Sequence, residues 1–318
     1  MKSLYKTFSV ALLATTLIAC SNDDDNNNSG TDSNIVEVAK ADGSFTTLVA
    51  ALETSGLAEV LADETKNYTV FAPTDAAFTA LLTKMNITAT DLLASPDLED
   101  ILLYHVIVGD EVNAAEATAV AILGETVLMG NGDKMALSLS GSELFANLSK
   151  IVQPNVGANN GIIHAVDTVL LPPAADTRAT NIVATAQGDS RFSILVSALS
   201  ATSDLVATLS NPNGDFTVFA PTDAAFNALP AGLLNTLLQT PDGTLRDILL
   251  KHVVSGSVDS VTAFTLNGMD VETVNGETVN IAIDSGKFTV DGAQVTTFDI
   301  VTTNGVIHVI DAVITLDP

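Results

Sequence analysis

Apolar residues recur along this chain with two different periods, and the change of period divides it into parts. Phe45, Leu48, Val49 and Leu52 stand at i, i+3, i+4 and i+7, a spacing that puts them on one face of a helix. Phe192, Leu195, Val196 and Leu199 repeat that spacing. The runs 68–71 and 216–219 are short and β-rich, and Pro73 and Pro221 close them. Directly after each proline, Thr74-Asp75 or Thr222-Asp223 offers side-chain oxygens with which to open a helix. Ser95-Pro96-Asp97 and Thr240-Pro241-Asp242 read as further helix entries, with proline in the first turn and an acid at the positive dipole end. The last part alternates instead. Val271, Thr273, Val279, Ile281 and Ile283 lie in runs broken by Asn275-Gly276, Ser285-Gly286, Asp291-Gly292 and Asn304-Gly305, all hairpin signals. Helices followed by an antiparallel sheet predict an α+β fold.

The pattern occurs twice. The string TVFAPTDAAF at 69–78 returns unchanged at 217–226, LLYHVIVG at 102–109 returns as LLKHVVSG at 249–256, and NGIIHAVD at 160–167 returns as NGVIHVID at 304–311. Three blocks in one order, at offsets of 148, 147 and 144 residues, mark two copies of one domain. We place the first domain at 34–172, a stiff Pro/Ala linker at 173–179 and the second domain at 180–318.

Together, the TVFAPTDAAF string, the Tyr104-His105 pair and the NGxIHxxD block resemble the fasciclin (FAS1) family, twice over and across nearly the whole chain beyond residue 33. The resemblance implies two tandem domains, each a small β-sandwich or wedge with helices on one flank. It also implies surface-anchored proteins that adhere to matrix protein or polysaccharide without catalysis, so no catalytic residue, cofactor or metal is expected. Tyr104 and His105 become the candidate partner-binding region. Lys251 departs from the family pattern, standing where tyrosine is expected, so a contact made by that tyrosine would belong to the first domain alone.

The N-terminus supplies an address. Lys2 and Lys6 precede an apolar run at 8–19, too short to span a bilayer as a helix, so 1–19 reads as a secretory signal. Leu17-Ile18-Ala19-Cys20 resembles a bacterial lipoprotein box, which makes Cys20, the only cysteine of the chain, the lipidation site. The segment 20–33 contains no apolar residue after Cys20 and reads as a disordered acidic tether. Its Ser followed by acids resembles the surface-export signal of Bacteroidota lipoproteins, and a plain solvated spacer fits it equally. The expected place is therefore the cell envelope, as an outer-membrane lipoprotein facing outward and held to the membrane by lipid alone.

Charge narrows the partners. With 12 Lys+Arg against 38 Asp+Glu, the net charge of −26 repels phosphate backbones and excludes nucleic acid. Expected partners are a matrix protein, a polysaccharide or a like domain on a neighbouring cell. Two alternatives remain: an envelope hydrolase acting on glycan or ester bonds, and a small-ligand carrier with an apolar cleft at the 171–180 junction.

All four histidines fall in the repeated blocks: His105, His164, His252 and His308. Histidine and carboxylate are common metal ligands and proton carriers. Here, however, they sit within apolar runs, where a histidine is more often a core residue satisfied by a hydrogen bond. Pro73, Thr74, Asp75, His105 and His164, with Pro221, Thr222, Asp223, His252 and His308, are therefore read as architectural. We further expect Asp75 and Asp223 to share a hydrogen-bond network with His105 and His252. Asn131-Gly132-Asp133 and Asn213-Gly214-Asp215 read as ordinary turns rather than calcium loops.

Overall fold

A computed structural model describes residues 32–173, 180–202 and 204–316. The signal segment, Cys20, the tether up to residue 31 and most of the linker lie outside the described residues. In the first domain the helices are α1 (Ile35–Asp42), α2 (Thr46–Ser55), α3 (Leu57–Leu61), α4 (Asp75–Met85), α5 (Ala89–Leu93), α6 (Leu98–Leu103) and α7 (Ala114–Leu123). Its strands are β1 (Tyr68–Pro73), β2 (Val106–Val108), β3 (Thr126–Leu128), β4 (Lys134–Ser140), β5 (Glu143–Ala146), β6 (Ser149–Ala158) and β7 (Gly161–Val166). The second domain repeats the order with α8 (Ile182–Gly188), α9 (Ser193–Ala201), α10 (Leu205–Leu209), α11 (Asp223–Asn227), α12 (Leu233–Gln239), α13 (Arg246–Lys251) and α14 (Ser260–Thr265). Its strands are β8 (Phe216–Pro221), β9 (Val253–Ser255), β10 (Met269–Glu272), β11 (Thr278–Asp284), β12 (Lys287–Val290), β13 (Ala293–Thr302) and β14 (Gly305–Ile310).

Each domain is α+β, with a seven-stranded sheet ordered β2-β1-β7-β6-β5-β4-β3 in the first and β10-β11-β12-β13-β14-β8-β9 in the second. The hairpin signals fall where expected: Asn275-Gly276, Ser285-Gly286, Asp291-Gly292 and Asn304-Gly305 join successive strands from β10 to β14. One pairing in each sheet is parallel. β1 runs beside β7 from Tyr68↔Gly161 to Pro73↔Val166, and β8 beside β14 likewise. Both β1 and β7 are buried along their whole length, because helices cover one face and the folded-over half of the sheet covers the other. Strands enclosed on both faces read as continuous apolar runs, as these do. Val70, Ala72, Ile163 and Ala165 point into the helical core, while Phe71 and Val166 point into the opposite one.

The Ser95 and Thr240 entries differ from expectation. Ser95 Oγ accepts from Asp97 N–H at 3.2 Å, so the serine closes a turn ahead of α6 and does not cap it. Pro241–Leu245 forms one wide turn before α13 begins.

The two domains meet across a packed seam. Ala136 of β4 is fully buried in a cluster with Val261, Phe264, Ile281 and Ile283 of the second domain. Asn267 stitches the seam: its Nδ2 donates to Leu139 O at 2.7 Å and its Oδ1 accepts from Ile283 N–H at 2.7 Å. At Gly124 the chains approach so closely that a Cβ would stand 3.0 Å from Thr265 O.

Candidate functional site

The repeated string works as a junction. Thr74 Oγ1 caps α4 by accepting from Ala77 N–H at 3.3 Å. Asp75, the next residue, turns its carboxylate to α2, accepting from Thr47 N–H at 2.7 Å and from Thr46 Oγ at 2.7 Å. It thereby satisfies donors that the start of α2 cannot use internally. Partial burial raises its pKa, but the hydrogen bonds from Thr47 and Thr46 outweigh this and hold it below 3.8. Asp223 serves α9 in the same way through Ile194 N–H at 2.8 Å and the Ser193 hydroxyl. The expected network between Asp75 and His105, and between Asp223 and His252, is not formed. The carboxylates are engaged at the helix starts, and the histidines take backbone partners.

His105 Nδ1 lies 2.7 Å from Ile101 O, and its Nε2 accepts from Leu170 N–H at 2.9 Å. His252 repeats this with Ile248 O at 2.7 Å and Ile314 N–H at 2.9 Å. One nitrogen donates and the other accepts, so each ring is the neutral Nδ1–H tautomer. Burial pushes the pKa of both down to about 4, against a smaller opposing effect of the carbonyl hydrogen bond. His164 Nε2 donates to Val112 O at 2.8 Å, its Nδ1 accepts from Asn155 N–H at 3.3 Å, and its ring packs 5.5 Å from that of Phe71. His308 does the same with Val258 O at 2.9 Å and Asp299 N–H at 3.4 Å. With every ring nitrogen engaged by backbone, none is free to bind a metal or carry a substrate proton. Among the described residues no group of three or more His, Cys, Asp or Glu is placed to hold a metal ion.

Two asparagines in the same blocks, of which the sequence reading took Asn304 only for a hairpin turn, carry as much of the fold. Asn160 Oδ1 accepts from Ile35 N–H at 2.9 Å and its Nδ2 donates to Leu61 O at 2.8 Å, tying the start of α1 and the end of α3 to β7. Asn304 ties α8 and α10 to β14 through Ile182 and Leu209. The glycines that follow are forced by space: a Cβ on Gly161 would fall 2.0 Å from Tyr68 O, and one on Gly305 1.8 Å from Phe216 O. The signal for Asn160 was its exact repetition at Asn304 beside that glycine.

The Tyr104-His105 pair cannot meet a partner as placed, which corrects the expectation for this region. Tyr104 is 0% and His105 1% exposed. The Tyr104 hydroxyl donates to Lys134 O and accepts from Asn147 Nδ2, both at 2.9 Å, and burial pushes its pKa up to about 12. In the second domain Lys251 takes the tyrosine's place, also fully buried, with Nζ 3.0 Å from Glu277 and 3.7 Å from Asp291.

What opens to solvent lies between the domains. A cleft of about 740 Å³ is walled by Gly124, Glu125 and Thr126, by Asp133 and Lys134, and by Asp259 and Thr262 of the second domain. Pro173 also lines it. Most of the 171–180 junction, where the small-ligand carrier reading placed an apolar cleft, lies outside the described residues.

The fasciclin domain model matches residues 43–172 and again 190–316. The chain belongs to the fasciclin family. It is 43% identical over 148 residues to protein sll1483 of Synechocystis, covering 46% of this chain and 79% of that one. It is 26% identical over 294 residues to transforming growth factor-beta-induced protein ig-h3 of Sus scrofa, covering 90% of this chain and 40% of that one. The chain thus spans well under half the length of this animal relative. A solved FAS1 domain pair from the insect cell adhesion molecule Fasciclin I aligns at 17% identity and a TM-score of 0.40, covering 87% of this chain and 98% of that one.

Proposed function

We propose that this fasciclin protein is a non-enzymatic adhesion or binding module, lipid-anchored through Cys20 at the cell surface, whose two domains contact a matrix protein or polysaccharide. One observation carries the reading. In both copies, the repeated polar residues that could do chemistry are used inside the fold, each histidine and motif aspartate bonded to backbone. Recognition then falls to the surface and its loops. Two domains on one tether raise effective concentration when both engage a repeated partner.

The test is an array of matrix proteins and glycans probed with protein lacking residues 1–33, alongside a model-ester assay. Binding without turnover is the expected result; ester hydrolysis with no binding anywhere would overturn the proposal. The anchor is checked separately: Cys20→Ala should abolish incorporation of labelled fatty acid and release the protein from the membrane fraction.

A further inference from the structure

We propose that the cleft between the domains is a docking groove for an extended segment of a partner protein in which basic residues alternate with aliphatic ones. This deepens the binding-module reading and rests on it.

Three observations converge on the groove. The first is charge: Glu125, Asp133 and Asp259 line it against a single cation, Lys134, on a chain of net charge −26. Basic groups are attracted by such a wall, whereas a second copy of this chain would bring the same negative charge and be repelled. The second is apolar exposure. Ile122, Leu123 and Leu128, at 70%, 68% and 65%, are the three most exposed large apolar side chains among the described residues. Ile122 and Leu123 end α7 directly before Gly124 of the cleft wall. Leu128 shares a face of β3 with the cleft-lining Thr126 and pairs in register with Lys134, another wall residue. The third is backbone. β3 closes its sheet, so its outer edge has no strand neighbour among the described residues. An extended peptide can add a strand to such an edge, its alternate side chains falling to opposite sides.

Geometry and charge select this occupant over others. A segment of alternating Lys and Val carries ammonium groups for the acidic wall of Glu125, Asp133 and Asp259 and, between them, methyl groups for the exposed Leu128. The walls offer no aromatic ring on which a sugar could stack. Acidic chains of any kind are excluded by the sign of the field.

The experiment measures fluorescence anisotropy of labelled nonapeptides against the detergent-solubilised full chain. Three peptides are compared: alternating Lys-Val, alternating Lys-Ser of equal charge, and alternating Glu-Val. We expect the Lys-Val peptide to bind at least tenfold more tightly than the Lys-Ser peptide, and the Glu-Val peptide not to bind. Glu125→Lys and Leu128→Asp should each weaken Lys-Val binding about tenfold or more, and Lys134→Glu should strengthen it. All three sites are exposed, so melting temperatures should stay within a degree or two of wild type. Equal binding of Lys-Val and Lys-Ser, or indifference to Leu128→Asp, would reduce the effect to diffuse charge and overturn the groove. Array binding of a neutral glycan lost in the Leu128→Asp variant would overturn it in favour of a sugar site. If no basic peptide binds while matrix or glycan binding persists, the groove fails and the binding-module reading stands; no array binding at all removes that reading as well.

Discussion

Acid should unfold this protein from within, at its buried histidines. His105 and His252 are buried and neutral, with pKa pushed down to about 4 from an ordinary 6.5. Between those values the unfolded chain takes up a proton at each histidine that the folded chain does not. Stability is therefore full above pH 6.5, falls as the pH drops toward 4, and levels off below it as far as these groups are concerned. The difference of 2.5 pH units corresponds to about 3 kcal/mol per histidine, of which about 2 kcal/mol is already lost at pH 5. One such histidine sits in each domain, so neither half is spared. His164 and His308 are shifted the same way by burial and add to the loss. Asp75, held below 3.8, contributes only at lower pH. Urea titrations at pH 7 and pH 5 measure the effect. His105→Gln should lower stability at pH 7 yet shrink the loss between the two pH values by about 2 kcal/mol, since glutamine does not titrate. If that variant loses as much stability between pH 7 and pH 5 as wild type does, the buried-histidine account is wrong. A direct check is the His105 ring resonance, which should move between those pH values by only about a tenth of its full titration shift.

Removing the Asn160 side chain leaves Ile35 N–H and Leu61 O without their buried partner, so Asn160→Ala should cost about 2–3 kcal/mol in thermal or urea unfolding, and Asn304→Ala a similar amount in the second domain. Gly161→Ala should prevent the β1–β7 pairing from closing and yield little soluble protein, whereas Gly157→Ala, with open space around it, should be tolerated. Ala136→Asp places a charge in the seam between the domains and should separate their unfolding into two calorimetric transitions, with Asn267→Ala a milder version. Glu277→Gln removes the nearer carboxylate from the fully buried Lys251 and should destabilise the second domain by about 2 kcal/mol in urea unfolding.

Much of this fold can be read from local pattern. The helical face from Phe45 to Leu52 and the four turns between β10 and β14 are short-range effects, set by side-chain periodicity and by residues that tolerate turn backbone. Pairing across distance is another matter. The run at 68–71 announces a short strand, but nothing in it names β7 as a parallel neighbour. Asp75 looked like the cap of its own helix because a capping residue and a first-turn acid are alike in sequence; only the packing of α2 against α4 shows whose start it satisfies. Tyr104 misled for a related reason. A phenol suits a surface contact as well as a core with one acceptor in reach, and the acceptor, Lys134 O, lies 30 residues away.

Comparison of the two copies shows which parts of the motif the fold requires and which it lets vary. The histidines, the asparagine-glycine pairs and the helix-capping aspartates are kept because each satisfies backbone groups at fixed positions, and few other side chains could reach them. At Tyr104 the requirement is looser: a long side chain must fill the space and end in a polar group with a partner. The first copy uses a phenol bonded to Asn147, and the second an ammonium facing Asp291 and Glu277. Asn147 and Asp291 occupy matching left-handed turns, at φ of 51° and 52°, and their backbone N–H groups bond matching carbonyls, Ala136 O and Asn280 O. The turn residue has therefore changed in step with its partner, amide beside phenol and carboxylate beside ammonium. A lysine beside asparagine would leave its buried charge poorly compensated, and a tyrosine beside aspartate would offer the carboxylate a single hydroxyl in place of an ammonium, so neither half-exchange is equivalent to the pair. This matched divergence is what a purely internal role allows, since a position held by an outside partner would be constrained by that partner's chemistry as well.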